Sequence, residues 1–150
     1  EERRNDIPDP QAARTHAASC LRWEERGEPE HAAVLSLYTD LLRLRRTHPA
    51  LGAGAETAGD AEAPDAGSVV MRRAAGDEIF WVAARLSGSG EIDLGPPAAV
   101  RGDGGGTWTV VLSTEDPKYA GDAVPVTVDL EGAAPRLGFE RPGAVILRRV

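Results

Sequence analysis

Residues His31 to Leu51 (HAAVLSLYTDLLRLRRTHPAL) form the most restrictive stretch in this sequence. Val34, Leu35, Leu37, Tyr38, Leu41, Leu42 and Leu44 recur at helical spacing. At about 100° per residue they cover roughly half of a helix circumference. An ordinary surface helix needs an apolar stripe only a little over ~100° wide. The chain must therefore fold so that this helix meets either one broad sheet or two separate bodies. If two, some of the arc from Val34 to Leu44 should stay exposed in this chain, or lie under a preceding helix. The helix is expected to begin near Pro29 or Glu30 and to stop at Pro49. Arg43, Arg45, Arg46 and His48 near its end suit the negative end of the helix dipole. Arg45 falls inside the apolar arc. It either lays its stem along the core and caps the last carbonyls, or ties the helix to the following domain as a paired, partly buried cation.

The remaining pattern is helix first, strands after. Pro8 and Pro10 disfavour helix at Ile7 and Asp9, so residues 1 to 9 should be extended. Asp9-Pro10 reads as an N-cap followed by Pro at the first helical position, opening a short helix to about Cys20. Leu21 and Trp23 are expected to dock on the long helix, with a turn at Arg26 to Pro29. Gly52 to Gly67 holds small and acidic residues with no period and reads as a loop. Strands are expected at Ser68 to Ala74, Glu78 to Leu86, Glu91 to Leu94, Thr107 to Ser113, Val124 to Leu130 and Ala144 to Val150. A hairpin turn at Ala75-Gly76-Asp77 joins the first two. Alternation puts Trp108, Val110 and Leu112 on one face, and Val124, Val126, Val128 and Leu130 inward. Pro125 makes the latter an edge strand or a strand start. The fold class is α+β by content: N-terminal helices followed by an antiparallel, Greek-key-like β-sandwich. The expected division is a helical segment at 1–51, an acidic loop at 52–67 and a sandwich at 68–150.

Composition narrows the function classes. At 150 residues, 41% hydrophobic and 27% charged, the chain can build one ordinary core. A net charge of −7 argues against nucleic-acid or anionic-membrane partners, which need clustered Lys and Arg. No apolar run approaches a membrane span and no export leader is evident. Cys20 is the only cysteine, which excludes an internal disulfide and fits a cytoplasmic compartment. The opening run EERRNDIPDPQ reads like the middle of a longer chain, although trimming of a tag would leave the same start.

The search for chemistry returns little. His16, His31 and His48 have no ligand partner at metal spacing, so no metal or other cofactor is expected. Cys20 lacks a base and reads as a small buried residue. Gly102 to Gly106 leads into a strand rather than a helix, so a hairpin loop is expected instead of a phosphate loop. Glu115 and Asp116 sit side by side on a turn, where two acids usually point apart into solvent. Glycosidase chemistry needs two carboxyls about 5 to 10 Å apart across a cleft. Trp23, Trp81 and Trp108 could stack on sugar rings if exposed, but Trp81 and Trp108 lie in alternating strands and are expected in the core. No catalytic, cofactor-binding or metal residue is assigned.

The order of parts carries a resemblance. An Asp-Pro-Gln helix start, a Trp-containing connector, a long helix ending LRLRRTHPAL and a C-terminal sandwich together resemble the tail of an α-amylase superfamily enzyme. More narrowly, Asp6 to Gln11, Leu21-Arg22-Trp23, Leu37-Tyr38 and Leu41 to Leu51 resemble the malto-oligosyltrehalose trehalohydrolase family. Ser113 to Gly121 and Arg141 to Leu147 are similar to that family's late sandwich strands. The 52–67 stretch, His16 and Cys20 depart from its pattern. The resemblance implies a glycoside hydrolase that releases trehalose from maltooligosyl-trehalose. This chain would supply the last barrel helices and domain C, partnered by a missing N-terminal (β/α)8 barrel and by maltooligosaccharide. The catalytic acids implied by the family would precede Glu1, so the chain alone should be silent. Alternatives are the same region of a glycogen branching or debranching enzyme, a free-standing carbohydrate-binding or interaction sandwich, and an independent small hydrolase.

Overall fold

The computed structural model describes residues 8–53, 58–95, 107–131 and 134–150. A short helix α1 (Ala13–Ser19) and a 3-10 turn (Trp23–Gly27) lead into the long helix α2 (Pro29–Thr47). A 3-10 turn (Pro49–Leu51) follows, and after it come eight strands among the described residues. They are β1 (Ala58–Glu62), β2 (Ser68–Ala75), β3 (Glu78–Arg85), β4 (Gly90–Asp93), β5 (Trp108–Ser113), β6 (Thr127–Asp129), β7 (Arg136–Phe139) and β8 (Gly143–Arg149). Two antiparallel sheets result, ordered β1-β2-β3-β8-β5 and β4-β7-β6. Helices followed by antiparallel sheets match the expected α+β class. Among the described residues, no helix is long and apolar enough to cross a membrane.

The sheets face each other across one core. Val70, Trp81, Ala83, Val145 and Leu147 come from the large sheet, and Ile92, Leu137 and Phe139 from the small one. Trp81 is 1% exposed and Leu137 fully buried. A second core lies on the opposite, outer face of the large sheet. There Phe80, Leu112 and Ile146 meet Ala50, with Leu37, Leu41, Leu44 and Leu51 packed against them. Three layers follow: α2, the five-stranded sheet and the three-stranded sheet. The interior strand β8 explains why both cores share one backbone. Its consecutive residues Val145, Ile146 and Leu147 are all buried, because alternate side chains point into different cores.

Several expectations are corrected. Asp9 does not cap α1; its carboxylate accepts the Gln11 amide (2.9 Å), while Ala12 occupies the cap position without a side-chain bond. The helix therefore starts at Ala13, one turn later than expected. Part of the expected acidic loop is strand β1, paired with β2 from Ala58 opposite Ala74 to Glu62 opposite Val70. Backbone pairing with an exposed strand edge does not require β-branched side chains. Residues 54–57 of that stretch lie outside the described residues, as do residues 1–7 and the glycine run Gly102 to Gly106. Trp108 and Leu112 do not share a face. The register of β5 on β8 slips between Val110 and Leu112, a bulge that turns Leu112 toward the outer core while Trp108 stays in the inner one. Val110 is left exposed on this edge strand. Val126, Val128 and Leu130 do pack inward, but only Thr127–Asp129 pairs as strand, on the edge of the small sheet.

Candidate functional site

The surface that stands out is the outer side of α2. Taking Val34 as 0° and about 100° per residue, Leu37, Leu41 and Leu44 fall within a sector of roughly 60°. These are the residues that pack on the large sheet. Val34, Leu35, Tyr38 and Leu42 fall in the adjoining sector of roughly 100°. All four are exposed, Tyr38 by 61%. The broad apolar arc thus splits into a half used by this chain and a half left open, as one of the two sequence-based alternatives required. The preceding segment does not cover it: Leu21 and Trp23, expected to dock, are exposed by 77% and 62%. The Arg26 guanidinium lies 5.3 Å from the Trp23 ring centre, and its Nε donates to the Trp23 carbonyl. Arg45 is exposed within this stripe and is neither buried nor paired among the described residues.

Polar contacts at three places hold α2 in one orientation. Asp40 accepts bonds from the Tyr119 hydroxyl (2.7 Å), the Lys118 ammonium and Arg43 (2.8 Å). The Lys118 bond, above all, holds the Asp40 carboxyl below its ordinary range, with Tyr119 adding to it. Burial, then the same bond to Asp40, pushes the Tyr119 hydroxyl up. At the far end, His48 Nδ1 sits 2.8 Å from Glu78 Oε1, which also accepts from Arg148 (3.3 Å). The His48 bond is the main reason the Glu78 carboxyl is held low. Arg73 on β2 donates to the carbonyls of Ala50 (3.2 Å) and Gly52 (2.9 Å), where the chain leaves the helix. Lys118 and Tyr119 belong to a loop that, with the first half of α2, walls an open groove of about 810 Å³.

Residues singled out for chemistry lie elsewhere. Glu115 is not solvent-facing: it is 8% exposed and accepts from Arg141 (2.7 and 2.8 Å) and the Val124 amide (2.8 Å). Arg141 also grips Asp122, and these two acids push the guanidinium pKa up. Asp116 is exposed and accepts the Lys118 amide. The two acids do point apart, but Glu115 turns inward as the tether of its loop. The neighbouring Ser113-Thr114 pair could have signalled this, since Thr114 Oγ1 accepts the Ala144 amide and draws the turn over β8. Trp81 and Trp108 are both buried. His16 is exposed on α1, and His31 lies 4.0 Å from Glu28 at the start of α2. Cys20 is exposed rather than buried, because α1 contributes no side chain to either core. No group of three potential metal ligands occurs among the described residues.

The chain is similar to curated malto-oligosyltrehalose trehalohydrolases. It is 59% identical to that of Deinococcus radiodurans over 46 residues, which is 31% of this chain and 8% of the relative. With the enzyme of Arthrobacter ramosus it shares 49% over 43 residues, and with that of Brevibacterium helvolum 47% over 45 residues. The matched stretches span 8% of each of these relatives. In structure, the chain superposes on an α-amylase from H.orenii with a TM-score of 0.61 and 15% identity. That match covers 95% of this chain and 25% of the α-amylase, and shows a shared fold. No family model matches the chain. The resemblance to malto-oligosyltrehalose trehalohydrolase drawn from sequence motifs is thus found again by comparison, over about a third of the chain.

Proposed function

We propose that this chain is the non-catalytic C-terminal region of a trehalose-releasing glycoside hydrolase of the α-amylase superfamily, acting on maltooligosyl-trehalose. Its role there is structural: α2 closes a (β/α)8 barrel, and the sandwich stands behind it as domain C. The observation that carries this reading is the division of α2 into one face on the sheet and one open apolar face. A helix with a single partner would not leave Val34, Leu35, Tyr38 and Leu42 in water when burying each would gain on the order of 1 kcal/mol or more. The relatives support it, since most of their length lies beyond the matched stretch. The helical residues up to Leu51 belong to the barrel in this view. β1 belongs with the sandwich it pairs with, leaving a shorter connection than the 52–67 span.

A free-standing sugar-binding sandwich would need aligned, exposed aromatics. The burial of Trp81 and Trp108 speaks against it. The test is trehalose release from maltooligosyl-trehalose, measured for the 150-residue chain and for the full product of its gene. We expect release by the full product and none by this chain. Release by this chain alone would overturn the reading, and so would a gene that encodes nothing beyond these residues. A full product that branches or debranches glycogen instead would keep the structural role but change the enzyme.

A further inference from the structure

We infer that the body covering the open face of α2 presents a carboxylate to Arg45, so that this exposed arginine becomes a buried ion-pair anchor on assembly. The inference rests on the proposed function, which supplies the barrel as the covering body, and adds the chemistry of its contact. On the angular scale used above, Arg45 stands at about 20°, between Val34 at 0° and Tyr38 at about 40°. It therefore lies within the apolar stripe. Arg46, at about 120°, lies at the stripe's margin and can keep its head in water.

Among the described residues neither Arg45 nor the adjacent Arg46 has a side-chain partner, and of the two only Arg45 lies inside the stripe. Arg43 is bound to Asp40, Arg73 to two backbone carbonyls, Arg85 to Asp65, Arg141 to Glu115 and Asp122, and Arg148 to Glu78. Arg45 is exposed and has no such bond among the described residues. A body that seals the stripe must remove water from this guanidinium. An unpaired buried charge is strongly unfavourable, whereas a bidentate carboxylate matches the guanidinium fork. A second copy of this chain does not supply one. In an antiparallel pairing of two stripes centred on Tyr38, Arg45 comes opposite His31, and the stripe itself contains no acid. Glu28 and Glu30 fall at about 120° and 320°, on its flanks. The relatives are much longer: 46 residues are 8% of the Deinococcus radiodurans protein, so 150 residues amount to about a quarter of its length and leave about three-quarters from which a covering body can come.

The test compares two variants, Arg45→Met and Tyr38→Glu, in the full gene product and in the 150-residue chain, by thermal unfolding. In the chain alone both should leave Tm within about 2 °C, since both side chains are exposed. In the full product Tyr38→Glu should lower Tm clearly, because it places a charge in the sealed stripe. Arg45→Met should lower it as well, with at least a 100-fold loss in the folded-to-unfolded ratio of the assembled unit, because methionine fills the space but strands the opposing carboxylate. If Tyr38→Glu lowers Tm and Arg45→Met leaves it unchanged or raises it, the stripe is covered but faces no carboxylate, and the inference falls while the proposed function stands. If neither variant affects the full product, the stripe is open in the assembled enzyme, and both fall.

Discussion

Leu41→Ala and Leu35→Ala make the same chemical change one and a half turns apart on one helix, yet the two-sided use of α2 predicts different costs. Leu41 packs against the outer core formed by Phe80, Leu112 and Ile146. Leu35 is 51% exposed and belongs to neither core. Truncating a fully buried Leu costs about 2–5 kcal/mol, from lost transfer energy and the cavity left behind. Leu41 is partly buried, so about half of that range, roughly 1–2.5 kcal/mol, is expected. For Leu35 the lost burial is small, and alanine is a slightly better helix former, so the change should stay within about 0.5 kcal/mol. At about 2–4 °C per kcal/mol for a chain of this size, Leu41→Ala should lower Tm by about 2–10 °C and Leu35→Ala by no more than about 2 °C. Urea unfolding of the 150-residue chain, with equal m values, would place the difference in the folded state. Equal losses, within about 0.5 kcal/mol, would refute the assignment of the two leucines to different faces.

Acid should loosen α2 from the sandwich. The folded Asp40 and Glu78 carboxyls are held below their ordinary values of 3.8 and 4.5 by Lys118 and His48 respectively. Depressed carboxyls contribute stability that is fully present above the unfolded pKa and is lost as pH falls through the folded one. Tm should therefore drop below about pH 4.5. Asp40→Asn and Glu78→Gln should each lower Tm at pH 7 but cost little near pH 2, and an equal cost at both would show that these charges are not what binds the helix. Gly76 turns the β2–β3 hairpin at φ +57° with open space where a Cβ would go. Gly76→Ala should cost about 1 kcal/mol from backbone strain alone, and Gly76→Asn less, both read by urea unfolding.

The long helix was legible because seven apolar positions at helical spacing, a Pro start and a Pro stop all agree. The split of its surface was legible only as an excess of apolar width. Which residues faced the sheet depended on where β3, β8 and β5 placed Phe80, Ile146 and Leu112. Strand β7 was missed because Arg136-Leu137-Gly138-Phe139 offers only two inward positions and carries a glycine, a residue depleted in strands. Strand β1 was missed because its residues are small or acidic and its pairing is carried by the backbone. The bulge at Val111 leaves no mark in an alternating Trp-Thr-Val-Val-Leu run, so the face of Leu112 could not be read locally. Of the site, the lone Arg45 in an apolar arc was visible from the start. The tether made by Glu115 was not, because its partners Arg141 and Val124 are 26 and 9 residues away.

The placement of β8 has a consequence for synthesis. Strands β2 and β3 can pair as soon as they leave the ribosome, since their turn is local. The other edge of β3 has to wait for β8, the last of the described strands to be made, which then inserts between β3 and β5. Until then β1, β2 and β3 form one ribbon and β5 has no strand partner, and both Trp81 and Phe80 lie beside an open seam. The nascent sandwich is thus a hazard for edge-to-edge association throughout translation. Its closure is a single late event, in which Val145, Ile146 and Leu147 complete two cores at once.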